Sequence, residues 1–340
     1  MAKQTSARLG NIQALRGIAA TGVLFAHLGG LGLTYPELPT LPTKHGVAGV
    51  DLFFVISGFI MTYTTNRRWG QIGRFAVARA LRIYPLWWIC MLIEAPIALK
   101  YLTGFWDEYG SYYIKSLLLL PVTTPNSAPY PALVPGWTLI YEIGFYGLFA
   151  LMMVTERRLL TVKICATLLA LLAIGFALPS DWDITVFLKN PIYLEFAFGV
   201  ALGELFENDR VSNRLLFLLF AASVAAAPTY FLGDGARFAF YGIPAALILA
   251  IALRLQTIGW FAPAFSKWLG DISYPQYLLQ TIIVSRATPI LVAAAFLPAW
   301  AILATLIAIC LIAGGCADFI QRRVVGIVRQ IGHSAAKALS

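Results

Sequence analysis

The sequence predicts an all-α, polytopic membrane protein with about ten transmembrane helices and both termini cytoplasmic. Three observations predict it. Of 340 residues, 59% are hydrophobic and only 12% charged, with a mean hydropathy of +0.76; a soluble fold needs more charge to cover its surface. Runs of roughly 20 apolar residues recur along the whole chain, each long enough to cross ~30 Å of hydrocarbon. The basic residues between those runs fall alternately on two sides.

Taken in order, the spans fall near 11–33, 46–65, 81–103, 134–155, 159–179, 190–206, 213–232, 238–254, 269–294 and 298–320. The first begins without a small-residue cleavage pattern, so it reads as an anchor and not as a removable signal. The Leu117–Leu120 run before Pro121 is too short to span and reads as interfacial or re-entrant, inside an external loop over 104–133. A short cytoplasmic tail, 321–340, closes a single transmembrane domain. Cys90, Cys165, Cys310 and Cys316 all fall in apolar segments without a CxxC pair, which points to small core residues rather than disulfides or metal thiolates.

Placing the N-terminus inside assigns eighteen Lys and Arg to cytoplasmic segments. Five fall outside (Lys44, Lys100, Lys115, Lys189 and Arg237), and Arg16 and Arg286 lie within helices. That asymmetry is the positive-inside pattern. It accounts for the net charge of +9 without nucleic acid as a partner; membrane lipids are the partner it implies. No internal repeat is visible, which counts against inverted-repeat transporters.

Ionisable side chains inside apolar spans are costly and mark function. Arg16 and His27 stand eleven residues apart in the first span, close to three turns, so they share one face about 16 Å apart along the axis. Asp51 opens the second span and Glu142 lies in the outer half of the fourth, both near the depth of His27. Arg79, Arg82 and Tyr84 begin the third, beside Arg67, Arg68 and Arg74. Two zones result. An inner basic zone can hold a polyanion, and an outer zone of His27, Asp51 and Glu142 offers a base with carboxylates to orient it. The residues alone leave plainer roles open: topology anchors for the arginines, and an ion-pair set of Asp51 and Glu142 with Arg16 or Arg286. Glu195 and Arg286 read as a structural pair.

These segments resemble the acyltransferase-3 family of membrane acyltransferases. The resemblance rests on Asn11-Ile-Gln-Ala-Leu-Arg16 followed by His27, Gly49-Val-Asp51 through Ser57-Gly-Phe, Arg79-Ala-Leu-Arg82-Ile-Tyr84-Pro85, Gly136-Trp137 through Glu142 to Phe145-Tyr146, and Gly270-Asp-Ile-Ser273-Tyr274 with Tyr277. Within the family the chain is most similar to bacterial exopolysaccharide O-acetyltransferases. The resemblance implies a bacterial inner-membrane enzyme that takes an acetyl group from cytoplasmic acetyl-CoA, as co-substrate and with no metal. The group passes to a hydroxyl of an extracytoplasmic carbohydrate or lipid-linked sugar. It further implies Arg16, Arg79, Arg82 and Tyr84 at the coenzyme, and His27 as base with Asp51 and Glu142. Gln280 stands near a position where many members carry histidine, and no soluble hydrolase-like domain follows the last span. From the residues alone, a glycan transporter or a non-catalytic assembly scaffold remains the competing reading.

Overall fold

The computed structural model describes residues 9–102, 106–124, 128–294 and 297–338. Among them every regular element is helical. The α-helices are α1 (Gly10–Gly29), α2 (Ala48–Thr65), α3 (Ile72–Leu102), α4 (Trp106–Leu117), α5 (Gly136–Met152), α6 (Leu160–Ala177), α7 (Asp183–Lys189), α8 (Glu195–Glu207), α9 (Asn213–Ala226), α10 (Ile243–Thr257), α11 (Ala264–Asp271), α12 (Ser273–Ala293) and α13 (Ala299–Ala338). Seven helices are long and apolar enough to cross a membrane, or eight if the bent pair Asp183–Lys189 and Pro191–Glu207 is one span, its halves turned by 52°. Each of the ten expected spans coincides with a helix. Two fall outside that set for visible reasons: α5 has only 17 residues, and α12 carries Ser273, Gln276, Gln280 and Arg286.

The differences from the sequence expectation have physical causes. Hydropathy starts the third span at residue 81, whereas α3 starts at Ile72; an apolar window undercounts a helix whose first turns are basic. Arg79 and Arg82 therefore sit two to three turns inside it. The expected loop over 104–133 contains α4, whose amphipathic Trp106–Leu117 carries too many polar residues to register as a span. It ends at a turn where Leu119 has φ 55° and is buried. Residues 104–105 and 125–127 of that loop, and Lys3 and Arg8 of the topology count, lie outside the described residues. The last span does not stop at 320: α13 continues unbroken to Ala338, about 60 Å at 1.5 Å per residue. The ninth span is broken at Ile272, between α11 and α12.

Small residues set the closest contacts. A Cβ at Gly58 of α2 would strike the backbone of Phe196, and one at Gly199 of α8 would strike Val55 and Phe59, so these helices touch backbone to backbone. Gly49 packs against Ala19 and Val23 of α1 in the same way, and Gly270 against Gln13. Phe145 and Phe196 stack across α5 and α8 at 4.1 Å, within an apolar core that also holds Trp87, Phe149 and Met91. Tying α1, α2, α8 and the α11–α12 junction together leaves α3, α5 and α12 to close a polar cavity.

Candidate active site

The cavity has a volume of about 80 Å³. At ~10–15 Å³ per water, that space holds a handful of waters or the reactive end of a substrate. Its polar wall is built by helical spacing. Thr138, Glu142 and Tyr146 recur every four residues on α5; Ser57 comes from α2, Arg79 and Arg82 from α3, Arg16 from α1, and Tyr274 and Tyr277 from α12. Ser57 donates to Glu142 Oε1 at 3.2 Å, and the Tyr146 hydroxyl donates to the same oxygen. Tyr277 and Thr138 share a hydrogen bond of 3.0 Å between hydroxyls. Tyr274 donates to the Ile83 carbonyl at 2.7 Å, tying α12 to α3.

Three guanidinium groups face this space. Arg79 lies over the rings of Phe75 and Tyr146, at 5.5 and 5.8 Å, and its buried Nε has no hydrogen-bond partner among the described residues. None of Arg16, Arg79 and Arg82 is in an ion pair there. Among the described residues Glu142 is the one carboxylate lining the cavity, so positive charge is in excess and the site favours an anion. A second cavity, of about 390 Å³, adjoins the first and shares Arg16, Arg82 and Tyr274 with it; Gln13, Asp271, Asp318, Gln321 and Arg322 line its far side. The three shared residues form the wall between the two compartments.

Of the residues expected from sequence, Arg16, Arg79, Arg82 and Glu142 come together here. The others do not. Tyr84 points away from the cavity and donates to the Leu118 carbonyl at 3.0 Å. The Asp51 carboxylate is fully buried and bound by Arg237, with Nη2 at 2.6 Å and Nε at 2.9 Å. It does not contact His27. Arg237, which the sequence presents only as an external charge, is tied to the first turn of α2 by this pair and donates to the Val47 carbonyl at 3.2 Å. Glu195 interacts electrostatically with Asp51 and Arg237, while Arg286 pairs with Glu94 at 2.9 Å, so the expected Glu195–Arg286 pair is not formed. His27, exposed near the end of α1, lines neither cavity. No group of three His, Cys, Asp or Glu side chains among the described residues is placed to hold a metal ion.

Residues 9–317 match the family model described as the acyltransferase domain of the acyltransferase-3 family. The chain belongs to the acyltransferase-3 family. It is 32% identical over 252 residues to the exopolysaccharide production protein ExoZ of Rhizobium meliloti (strain 1021), covering 71% of this chain and 77% of that protein. It is 26% identical to the peptidoglycan O-acetyltransferase OatA of Listeria monocytogenes, covering 83% of this chain but half of that protein. It is also 26% identical to the membrane-bound transacylase BcsY of Komagataeibacter xylinus, over 79% and 71% of the two chains. No solved structure matches. This acyltransferase is thus a multi-pass membrane protein whose family motifs meet around one basic cavity. Ser57, Tyr146, Tyr274 and Tyr277 were legible as parts of those motifs, but only the four-residue step from Glu142 to Tyr146 marks any of them as a site residue. Arg237 gave no sequence signal.

Proposed function

We propose that the protein is an O-acetyltransferase that moves an acetyl group from cytoplasmic acetyl-CoA to a hydroxyl of an extracytoplasmic polysaccharide, such as an exopolysaccharide. It works in the bacterial inner membrane, with the N-terminus and the inner cavity on the cytoplasmic side. The observation that carries the reading is the convergence of three ion-pair-free arginines on joined cavities inside a family acyltransferase. A polysaccharide acceptor is supported by the names of its relatives, and an anionic donor by that arginine excess.

The larger cavity takes the phosphate-bearing head of the donor, against Arg16 and Arg82, with Arg79 beyond. The thin arm of coenzyme A then runs outward along the face shared by Arg16 and His27, whose separation of about 16 Å spans from the phosphate zone to the thioester. His27 takes the proton of the acceptor hydroxyl as its oxygen attacks the thioester carbonyl. The carbon–sulfur bond breaks and the imidazolium returns the proton to the departing thiolate. Glu142, fixed by Ser57 and Tyr146, balances the arginines and holds α5 against α2. Asp51 acts through Arg237, by fixing the outer end of α2.

The test is O-acetylation of surface glycans in the host, comparing wild type, His27→Ala and a deletion. The expected outcome is loss of acetyl esters in both mutants with His27→Ala still present in the membrane. Retained acetylation in His27→Ala, with failed export or assembly in the deletion, would overturn the catalytic reading in favour of transport.

A further inference from the structure

The proposed donor site gives Arg16 the central place between two cavities, and the roles assigned to its neighbours rest on that reading. We propose that Gln13 and Asp271 are positioning residues that aim the Arg16 guanidinium at the wall between the cavities.

The geometry begins with a helix crossing. A Cβ at Gly17 would strike Leu269 and the Gly270 backbone, and one at Gly270 would strike the Gln13 backbone, so α1 passes the α11–α12 junction with no side chain between. This brings Gln13 opposite Asp271, 258 positions away in the chain. Gln13 Nε2 donates to Asp271 Oδ1 at 2.7 Å, and Arg16 Nη1 donates to Gln13 Oε1 at 2.8 Å. The chemistry permits one orientation of the amide. A guanidinium only donates and a carboxylate only accepts, whereas a glutamine side chain does both. The second Asp271 oxygen lies 3.4 Å from Arg322 Nη2, and Arg322 Nε is held by Asp318 at 2.7 Å. A chain of contacts therefore runs from α13 through Asp271 and Gln13 to Arg16. Gln321, one residue earlier on α13, donates to the Arg82 carbonyl at 2.6 Å, so the same stretch of α13 steadies both arginines of the wall.

The experiment uses the full chain purified into lipid nanodiscs, with initial rates measured against acetyl-CoA and against acceptor. Gln13→Ala and Asp271→Ala are expected to raise the KM for acetyl-CoA about tenfold, or about 1.4 kcal/mol, with kcat within twofold and acceptor KM unchanged. Gln13→Glu is expected to do worse, because it sets a second carboxylate against Asp271. Combining Gln13→Glu with Asp271→Asn reverses donor and acceptor between positions 13 and 271 while Arg16 still donates to position 13, and is expected to restore the KM. A readout independent of donor is the rate at which phenylglyoxal labels Arg16, followed by mass spectrometry. Labelling should rise several-fold in the two alanine variants and return to the wild-type rate in the combined variant. Unchanged labelling in Asp271→Ala, or a combined variant no better than Gln13→Glu alone, overturns the proposal. Wild-type protein that binds no acetyl-CoA would refute the donor assignment instead, and the labelling would still decide whether Gln13 and Asp271 aim Arg16.

Discussion

Removing the Arg237 side chain tests the architecture above the cavity most sharply. Asp51 is 0% exposed and the Arg237 side chain 17%. Their bidentate contact, at 2.6 and 2.9 Å, is the ion pair in which Asp51 takes part. Fully buried Glu195 lies beside it and interacts with both members of the pair. Arg237→Ala therefore leaves two buried acids facing no cation. Breaking one side of a buried pair costs about 3–5 kcal/mol, whereas replacing both partners is often close to neutral. At roughly 2 °C per kcal/mol for a chain of this size, thermal unfolding in detergent, followed by tryptophan fluorescence, should fall by about 6–10 °C. Adding Asp51→Asn to Arg237→Met should recover most of that loss. An Arg237→Ala variant that melts like wild type, or a double variant that melts below the single one, would contradict a supporting role for the pair. Acyl transfer by the recovered double variant would show that Asp51 serves α2 rather than the reacting atoms.

The remaining expectations concern the cavity and its supports. Arg79→Gln should raise the KM for acetyl-CoA at least tenfold, the scale of one hydrogen bond to a charged group, and leave acceptor KM unchanged; steady-state kinetics on both substrates read this directly. Gly199→Val inserts a side chain where α2 and α8 touch; overpacking on the scale of ~1–3 kcal/mol should lower the melting temperature, and unchanged melting would rule out the backbone contact. Tyr146→Phe removes a donor to Glu142 and should destabilise by about 1–3 kcal/mol, read as a lower melting temperature. Asp183 accepts from the backbone and side chain of Thr123 and pairs with Lys115 at 2.8 Å. Asp183→Ala should therefore speed amide hydrogen exchange in 115–124 while leaving α1 and α2 unchanged.

Much of this was legible in the sequence because a bilayer leaves few ways to satisfy a backbone. Apolar runs located every span. Depth was legible as well: Arg16, Arg79, Arg82 and Glu142, chosen because charge is costly in hydrocarbon, do line one cavity. Rotation about each helix axis was not. Tyr84 sits only two residues from Arg82, yet about 200° of helical turn carries it to the loop after α4. Asp51 lies in the first turn of α2, but the cation that claims it comes from a segment 186 positions later. Such partnerships depend on which helices adjoin, and a single sequence does not encode adjacency in its periodicity. Of the readings the residues left open, acyl transfer, transport and a non-catalytic scaffold, membership of the acyltransferase-3 family selects the first.

The glycines of α2, α8 and α5 differ in one respect that bears on movement. At Gly49, Gly58 and Gly199 of α2 and α8 the space is filled by a neighbour's backbone, whereas Gly144 and Gly147 on α5 have nothing within 4 Å of an added Cβ. Beside Gly144 runs an apolar groove lined by Leu148, Leu168 and Phe187. One wall of the cavity is thus clamped and the opposite wall has slack behind it. Where packing is loose, local displacement costs least. Any adjustment of the cavity to its occupant would then fall on α5, and the hydrogen bond from Ser57 to Glu142 is the contact it would strain. The arginines on α1 and α3 would keep their register against the crossing at Gly270.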